Sequence, residues 1–191
     1  MLPVDFVFGP AADRPYNVRM PKFMLSLGFL LACVGSAACA KDTDLLQAGQ
    51  PAPDVTGENQ DGSQVRLSAV RGKPAVVYFY PKDGTPGCTK EACAFRDSFK
   101  QYVDAGITIF GVSGDDQASH RKFRAEHTLP FPLVADEDGA VQKAYGVPST
   151  FGAPARITFL VDPKGHIAKV WKDVDPGVHA EQVLKAAQTY L

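Results

Sequence analysis

Two apolar runs stand out after residue 70. Residues 75–80 and 107–113 are rich in β-branched and aromatic side chains with little polar alternation. This pattern is typical of strands buried on both faces of a sheet. Pro81 follows the first run directly and ends it. The pattern therefore predicts two central strands.

Apolar residues recur at helical spacing between these two runs. The segment 89–105 places them on one face, and Gly106 follows it as a typical C-terminal cap. The residues of this face are Ala92, Phe95, Phe99, Tyr102 and Val103. We predict a single helix over 89–105.

Predicted helices and strands continue to alternate in the later part of the chain. We predict a helix over 118–127 with Asp115 or Asp116 near its start, a short strand over 133–135, and a helical turn over 141–145 that ends at Gly146.

The last segments predict a hairpin and a helix. Apolar runs at 157–161 and 167–171 flank the turn Asp162-Pro163-Lys164-Gly165, and an amphipathic helix follows over 180–191. The whole order predicts an α/β protein with a thioredoxin-like fold, in which helices flank a mixed central sheet.

Composition narrows the class of protein. The chain has 191 residues, a formal net charge of -1 and 45% hydrophobic residues. These values favour a folded domain over disorder, and we assign that domain to residues 41–191. The balanced charge, without a run of Lys or Arg, gives no reason to expect nucleic acid or anionic lipid as a partner.

Residues 1–40 have the features of an export signal. Met20-Pro21-Lys22 precedes an apolar run over 23–34, and small residues lead to Ala38-Cys39-Ala40. The run is too short to span a bilayer. We expect this extension to be absent from the mature protein, which would be exported to the periplasm after cleavage behind Ala40.

Two alternatives to this placement stay open. The sequence Leu30-Leu31-Ala32-Cys33 resembles a lipobox, so a lipid anchor at Cys33, or at Cys39, is the second interpretation. The third is a cytoplasmic protein, if the N-terminus is mis-assigned. Independently of this choice, we expect Met20 or Met24 to be the true first residue, because Asp5, Asp13 and three prolines within residues 1–19 are unusual before an export signal.

The most informative chemistry lies at Cys88 and Cys93. Cys88 follows the Pro/Gly-rich turn Thr85-Pro86-Gly87, so it should lie in the first turn of a helix, where free N–H groups and the helix dipole favour a thiolate. Cys93 is five residues further, about 140° around and about 8 Å along an ideal helix. A disulfide between them would require local unwinding.

These residues carry a family resemblance. The segment Pro81-Lys82-Asp83-Gly84-Thr85-Pro86-Gly87-Cys88 resembles the peroxiredoxin motif, and the continuation through Cys93 to Asp97 is similar to the Q type, also called the bacterioferritin-comigratory-protein type. The resemblance implies that Cys88 is the peroxidatic cysteine and that Cys93 resolves it as an intrachain disulfide.

The resemblance also implies roles for three further residues. Thr85 would bring its hydroxyl near the thiolate, and Pro81 would shield the pocket from water. Arg156, in Pro154-Ala155-Arg156-Ile157-Thr158-Phe159, matches the arginine that the family places over the sulfur.

The same resemblance implies the reaction and its partners. Such proteins reduce hydrogen peroxide and organic hydroperoxides in antioxidant defence, without metal, haem or flavin, so we expect no cofactor. Thioredoxin or a thioredoxin-like protein would be the reductant. A monomer without a stable membrane span is expected.

Two other functions use the same fold. A disulfide oxidoreductase would normally carry Cys-x-x-Cys, and a copper assembly protein would bind Cu(I) through paired thiolates. The five-residue step and the frame of Pro81 and Thr85 favour peroxide chemistry. We interpret Glu91 as a first-turn acidic residue favoured by the helix dipole, and a supporting contact with the site residues is the alternative. We interpret the four histidines of the chain as surface residues: His120, His127, His166 and His179.

Overall fold

The structure, a computed structural model, describes residues 44–191. These residues form nine strands: β1 Thr56–Glu58, β2 Gln64–Arg66, β3 Ala75–Phe79, β4 Thr108–Ser113, β5 Leu133–Ala135, β6 Ser149–Thr150, β7 Ala153–Pro154, β8 Ile157–Val161 and β9 Ile167–Trp171. The same residues form five α-helices: α1 Pro86–Asp97, α2 Phe99–Asp104, α3 Gln117–His127, α4 Ala140–Ala144 and α5 His179–Ala187.

The central sheet has five strands in the order β5-β4-β3-β8-β9. Strands β5, β4 and β3 are parallel, whereas β8 and β9 join as antiparallel neighbours. The predicted α/β architecture with a mixed sheet is confirmed. Every residue of β3 is buried, and so is every residue of β4 except Thr108, as the two apolar runs predict. The residues of β8 are buried as well.

Alternate residues of β3 supply two hydrophobic cores. Val76 and Tyr78 pack on one side with residues of α1, α3 and α5. Val77 and Phe79 pack on the other side with residues of α4 and the segments before β3. The sheet is therefore covered on both faces, and α1 lies on the first of them.

The predicted helix over 89–105 consists of two helices. α1 begins at Pro86, because proline suits the first helical position, and it ends at Ser98, from which α2 continues. Of the apolar positions that indicated the helix, Val103 is 56% exposed. Gly106 ends α2 as predicted, with a positive φ of 67° that glycine adopts without strain.

The remaining central elements agree with their predictions to within a few residues. Asp116 is the residue that caps α3, because its side chain accepts a hydrogen bond from the N–H of Ser119 at 2.7 Å. Two small hairpins, β1–β2 and β6–β7, were not predicted. Their strands are two or three residues long and largely exposed, so they leave no apolar run in the sequence.

The predicted signal in residues 1–40, with Cys33 and Cys39, lies outside the described residues. Over 44–191, no helix is long and apolar enough to cross a membrane.

Candidate active site

Cys88 is the third residue of α1 and is buried, with 2% of its surface exposed. The hydrogen-bond ladder of the helix starts with the N–H of Thr89, which donates to the carbonyl of Thr85 at 2.8 Å. The N–H groups of Gly87 and Cys88 precede that ladder, as the first N–H groups of any helix do. The sulfur therefore lies where the helix dipole and free donors favour negative charge.

Arg156 reaches this sulfur from the sheet. Strand β8 pairs with β3 so that Ile157 lies opposite Phe79, which brings the residues just beyond both strands to one edge. The Nη2 of Arg156 donates to the Sγ of Cys88 at 3.2 Å. A Cβ at Gly87 would lie 3.2 Å from the same Nη2, so the glycine leaves room for the guanidinium.

Glu91 holds the other side of the guanidinium. It lies three residues after Cys88 on the same face of α1, is fully buried, and accepts a hydrogen bond from the Nη1 of Arg156. Its second oxygen, Oε1, has no hydrogen-bond partner among residues 44–191. The interpretation of Glu91 as a first-turn acidic residue is wrong, because no acidic residue lies in the first turn of α1. The alternative, a supporting contact with a site residue, agrees with its pairing to Arg156.

Burial and pairing act in opposite directions on these charges. Burial raises the pKa of Glu91 to about 7, although Arg156 partly offsets it. Burial lowers the pKa of Arg156, but the Glu91 carboxylate and the Cys88 sulfur together raise it above its ordinary value. We conclude that the guanidinium stays charged, whereas Glu91 takes up a proton near neutral pH.

Replacing Glu91 should change how stability depends on pH. Between the ordinary value of 4.5 and the folded pKa of about 7, the folded protein keeps a proton that the unfolded chain releases. The contribution of Glu91 to the free energy of unfolding therefore declines as pH rises through this window. Glutamine does not titrate, so Glu91→Gln does not share this decline. The unfolding free energy of Glu91→Gln minus that of the wild type should therefore rise by up to about 3 kcal/mol as pH increases from 4.5 to about 7.

Urea unfolding at pH values spanning the window measures this difference. Glu126→Gln, at an exposed position of α3, is the matched control. A difference that is constant with pH for Glu91→Gln would contradict the prediction.

Thr85 and Pro81 lie on the connection from β3 to α1, shortly before Cys88. Thr85 is the N-cap residue of α1, but its side chain does not cap the helix. Its hydroxyl donates instead to the carbonyl of Lys82 at 3.1 Å. Pro81 is half-buried, directly before this turn. The structure thus brings Pro81, Thr85, Cys88 and Arg156 to one end of the sheet, while the roles of these residues stay predictions.

Cys93 lies on the same helix but in different surroundings. It is partly exposed, whereas Cys88 is buried, and both are free thiols. A shallow depression between α1 and the start of α5 is lined by Cys93, Ala94, Gly177 and Ala180 among others. The second thiol is therefore accessible while the first is enclosed.

Two of the four histidines are buried, which contradicts their interpretation as surface residues. His120 and His179 are both fully buried. The Nε2 of His179 lies 2.8 Å from the hydroxyl of Thr158, and burial lowers the pKa of His179 to about 4. Its ring packs edge-on against Phe95 and Trp171, so it belongs to the core behind Arg156.

No group of three or more His, Cys, Asp or Glu within residues 44–191 is arranged to hold a metal ion.

Comparisons with known proteins identify the family of this chain. Residues 48–170 match the AhpC/TSA family. The chain is 48% identical to the chloroplastic peroxiredoxin Q of Triticum aestivum over 143 residues, which span 73% of this chain and 66% of that protein, just under two thirds. It is 42% identical to the chloroplastic peroxiredoxin Q of Populus jackii, over 82% of this chain and 76% of that protein.

Solved structures give the same result. The peroxidoxin BcpB of Mycobacterium tuberculosis superposes with a TM-score of 0.71 at 31% identity, covering 76% of this chain and 99% of that one. The bacterioferritin comigratory protein of Xanthomonas campestris, solved in a study of its alkyl peroxide reduction activity, superposes with a TM-score of 0.69 at 36% identity, covering 74% and 98%. These neighbours confirm the thioredoxin-like fold. The chain therefore belongs to the AhpC/TSA family, among the peroxiredoxins of the Q type, which are thiol-dependent peroxidases.

Proposed function

We propose that Cys88 is the residue that attacks the peroxide. Its thiolate would attack one oxygen of the substrate, the O–O bond would break, and Cys88 would become a sulfenic acid. The departing oxygen takes up a proton and leaves as water or an alcohol. The observation that carries this proposal is the contact of 3.2 Å between Arg156 Nη2 and the Cys88 sulfur.

The charges around the sulfur suit this step. Negative charge moves from sulfur to the departing oxygen, so fixed donors stabilise the transition state more than the free thiolate. Arg156 and the N–H groups of Gly87 and Cys88 are such donors. In this proposal Thr85 orients the peroxide through its hydroxyl, and Pro81 keeps water from the sulfur.

We assign to Cys93 the resolving step. Its thiol attacks the sulfur of the Cys88 sulfenic acid, a disulfide forms, and water leaves. Both residues lie within α1, about 140° apart around an ideal helix. The helix must therefore open locally before the two sulfurs can bond.

The disulfide is then reduced by a dithiol protein of the thioredoxin type. Exchange begins when a thiolate attacks one sulfur of the disulfide. The accessible position of Cys93, beside the depression at the start of α5, suits attack by a second protein.

The substrates in this proposal are hydrogen peroxide and organic hydroperoxides. The related Xanthomonas campestris protein was solved in a study of alkyl peroxide reduction, which supports the second class.

Cys93→Ser tests the proposed cycle. The variant should reduce one equivalent of peroxide and then stop with thioredoxin as reductant, because the sulfenic acid of Cys88 has no partner within the chain. The wild-type protein should instead lose two hydrogens on one equivalent of peroxide, which intact-mass spectrometry detects as a disulfide. Full turnover by Cys93→Ser, with thioredoxin alone, would contradict the intrachain disulfide.

We also propose that residues 1–40 are a removable presequence and that the mature protein is a periplasmic monomer. The basic, apolar and small-residue regions of this segment support export. The plant relatives are chloroplastic by name, which makes a plastid the competing destination. N-terminal sequencing of the mature protein, cell fractionation and light scattering test the three statements; an intact N-terminus would refute cleavage.

A further inference from the structure

A buried polar cluster beside the sulfur site holds the turn that leads into α1. Within the turn 81–85, the carboxylate of Asp83 accepts a hydrogen bond from the Tyr80 hydroxyl at 2.8 Å. Its other oxygen accepts one from the Ser119 hydroxyl at 2.8 Å and lies 2.8 Å from the Nδ1 of His120. The side chain of Asp83 is 6% exposed, and that of His120 is fully buried.

The backbone of the same residue is also fixed. The N–H of Asp83 donates to the Oδ2 of Asp115 at 2.8 Å, and the hydroxyl of Ser113 donates to that oxygen at 2.8 Å. Ser113 ends β4, whereas Ser119 and His120 lie in α3. The side chain of Asp83 is therefore held by α3. Its backbone is held by Asp115, which Ser113 at the end of β4 contacts in turn.

Burying His120 destabilises the folded state unless its hydrogen bond with Asp83 offsets the loss of hydration. A carboxylate oxygen can only accept, so Nδ1 carries the proton and donates. The other ring nitrogen, Nε2, has no hydrogen-bond partner among residues 44–191, and a buried polar atom without a partner destabilises the folded state. An apolar residue in the core would avoid that cost.

We propose that His120 and Asp83 are positioning residues of the peroxidase site. Their hydrogen bond holds the turn 81–85 and the first turn of α1 in the folded arrangement in which Cys88 meets Arg156. It thereby sets how often the helix opens for the disulfide to form. The inference rests on the function proposed for Cys88, which lies five residues after Asp83.

The consequence concerns the fate of the sulfenic acid. While α1 is folded, a second peroxide can oxidise Cys88 further to sulfinic acid, and once α1 opens, Cys93 can form the disulfide. Loss of the hydrogen bond from His120 to the charged Asp83 should raise the open population about tenfold. The variant should then form the disulfide faster, react more slowly with the first peroxide, and resist overoxidation.

The test compares His120→Leu with His120→Asn. Leucine removes the donor, whereas the amide nitrogen of asparagine can replace Nδ1 as a donor to Asp83. The first measurement is the sulfinic acid fraction, by intact-mass spectrometry, after turnover at increasing hydrogen peroxide. His120→Leu should need about tenfold more peroxide than the wild type for the same fraction, and His120→Asn should stay close to the wild type.

The second measurement is amide hydrogen exchange of the reduced proteins, without peroxide. Exchange of the first turns of α1 should become about tenfold faster in His120→Leu, while β3 and β4 keep their protection. The proposal would be overturned if α1 of His120→Leu exchanged at the wild-type rate. It would also be overturned if α1, β3 and β4 lost protection equally, because a residue that only stabilises the whole fold has that effect.

Two provisions keep the outcomes separate. If His120→Leu does not fold, Asp83→Ala removes the acceptor of the same hydrogen bond and should change both measurements in the same direction; unchanged values would overturn the proposal. If the wild type forms neither disulfide nor sulfinic acid, the proposed function fails. The exchange result still decides whether His120 holds α1.

Discussion

Cys88→Ser should abolish peroxide reduction. A serine hydroxyl is not ionised at neutral pH and is a far weaker nucleophile toward peroxide oxygen than a thiolate, so the second-order rate constant should fall by at least about three orders of magnitude. Stopped-flow mixing with hydrogen peroxide, followed by the intrinsic fluorescence of Trp171 or by peroxide consumption, measures this constant.

Cys93→Ser is the matched control for this substitution. It makes the same atomic change on the same helix, but it leaves Cys88 and Arg156 in place. It should therefore keep a fast first reaction with one equivalent of peroxide. Equal loss of the first reaction in the two variants would show that Cys88 is not the nucleophile.

Arg156→Met should have the second-largest effect, on both rate and stability. Without the guanidinium the departing oxygen loses a fixed charged donor, so the first reaction should slow by about two orders of magnitude. The carboxyl of Glu91 would also remain buried without its partner, which costs about 3 kcal/mol or more when an ion pair is broken.

The ionisation of Glu91 limits that loss of stability. Arg156 lowers the pKa of Glu91 from the still higher value that burial alone would give. Its removal raises this pKa further, so the carboxyl should bind a proton at neutral pH. The stability deficit of Arg156→Met should therefore grow as pH rises above 7, where keeping the proton becomes harder.

The double variant Arg156→Met/Glu91→Gln separates the two effects. It should recover stability, because no buried carboxyl remains, while the rate stays low. Urea unfolding and stopped-flow kinetics on the single and double variants measure both. Recovery of the peroxide rate in the double variant would show that Arg156 acts only by neutralising Glu91.

The sequence predicted those elements of the fold that depend only on residues close together in the chain. The buried runs of β3 and β4, the glycine after α2 and the hairpin turn at 162–165 all depend on adjacent residues, and all are present. The break at Ser98 was not predicted, because the apolar spacing continues across it.

The candidate site shows the same division. Cys88 and Thr85 were found through a contiguous motif, and Arg156 only through a family resemblance, since 68 residues separate it from Cys88. The partnership of Glu91 with Arg156 and that of His120 with Asp83 depend on strand register and helix packing. The one local signal was the spacing of three between Cys88 and Glu91, which places both on one helix face.

The position of Glu91 between the two cysteines couples two events. Because it lies inside the stretch from Cys88 to Cys93, unwinding that stretch must also withdraw its carboxylate from Arg156. In the proposed cycle, the oxidised protein would therefore lose the contact between Glu91 and Arg156 as well as the folded position of Cys88. Reduction of the disulfide would allow α1 to refold, which would restore the contact between Glu91 and Arg156 and the position of Cys88 before the next peroxide reacts.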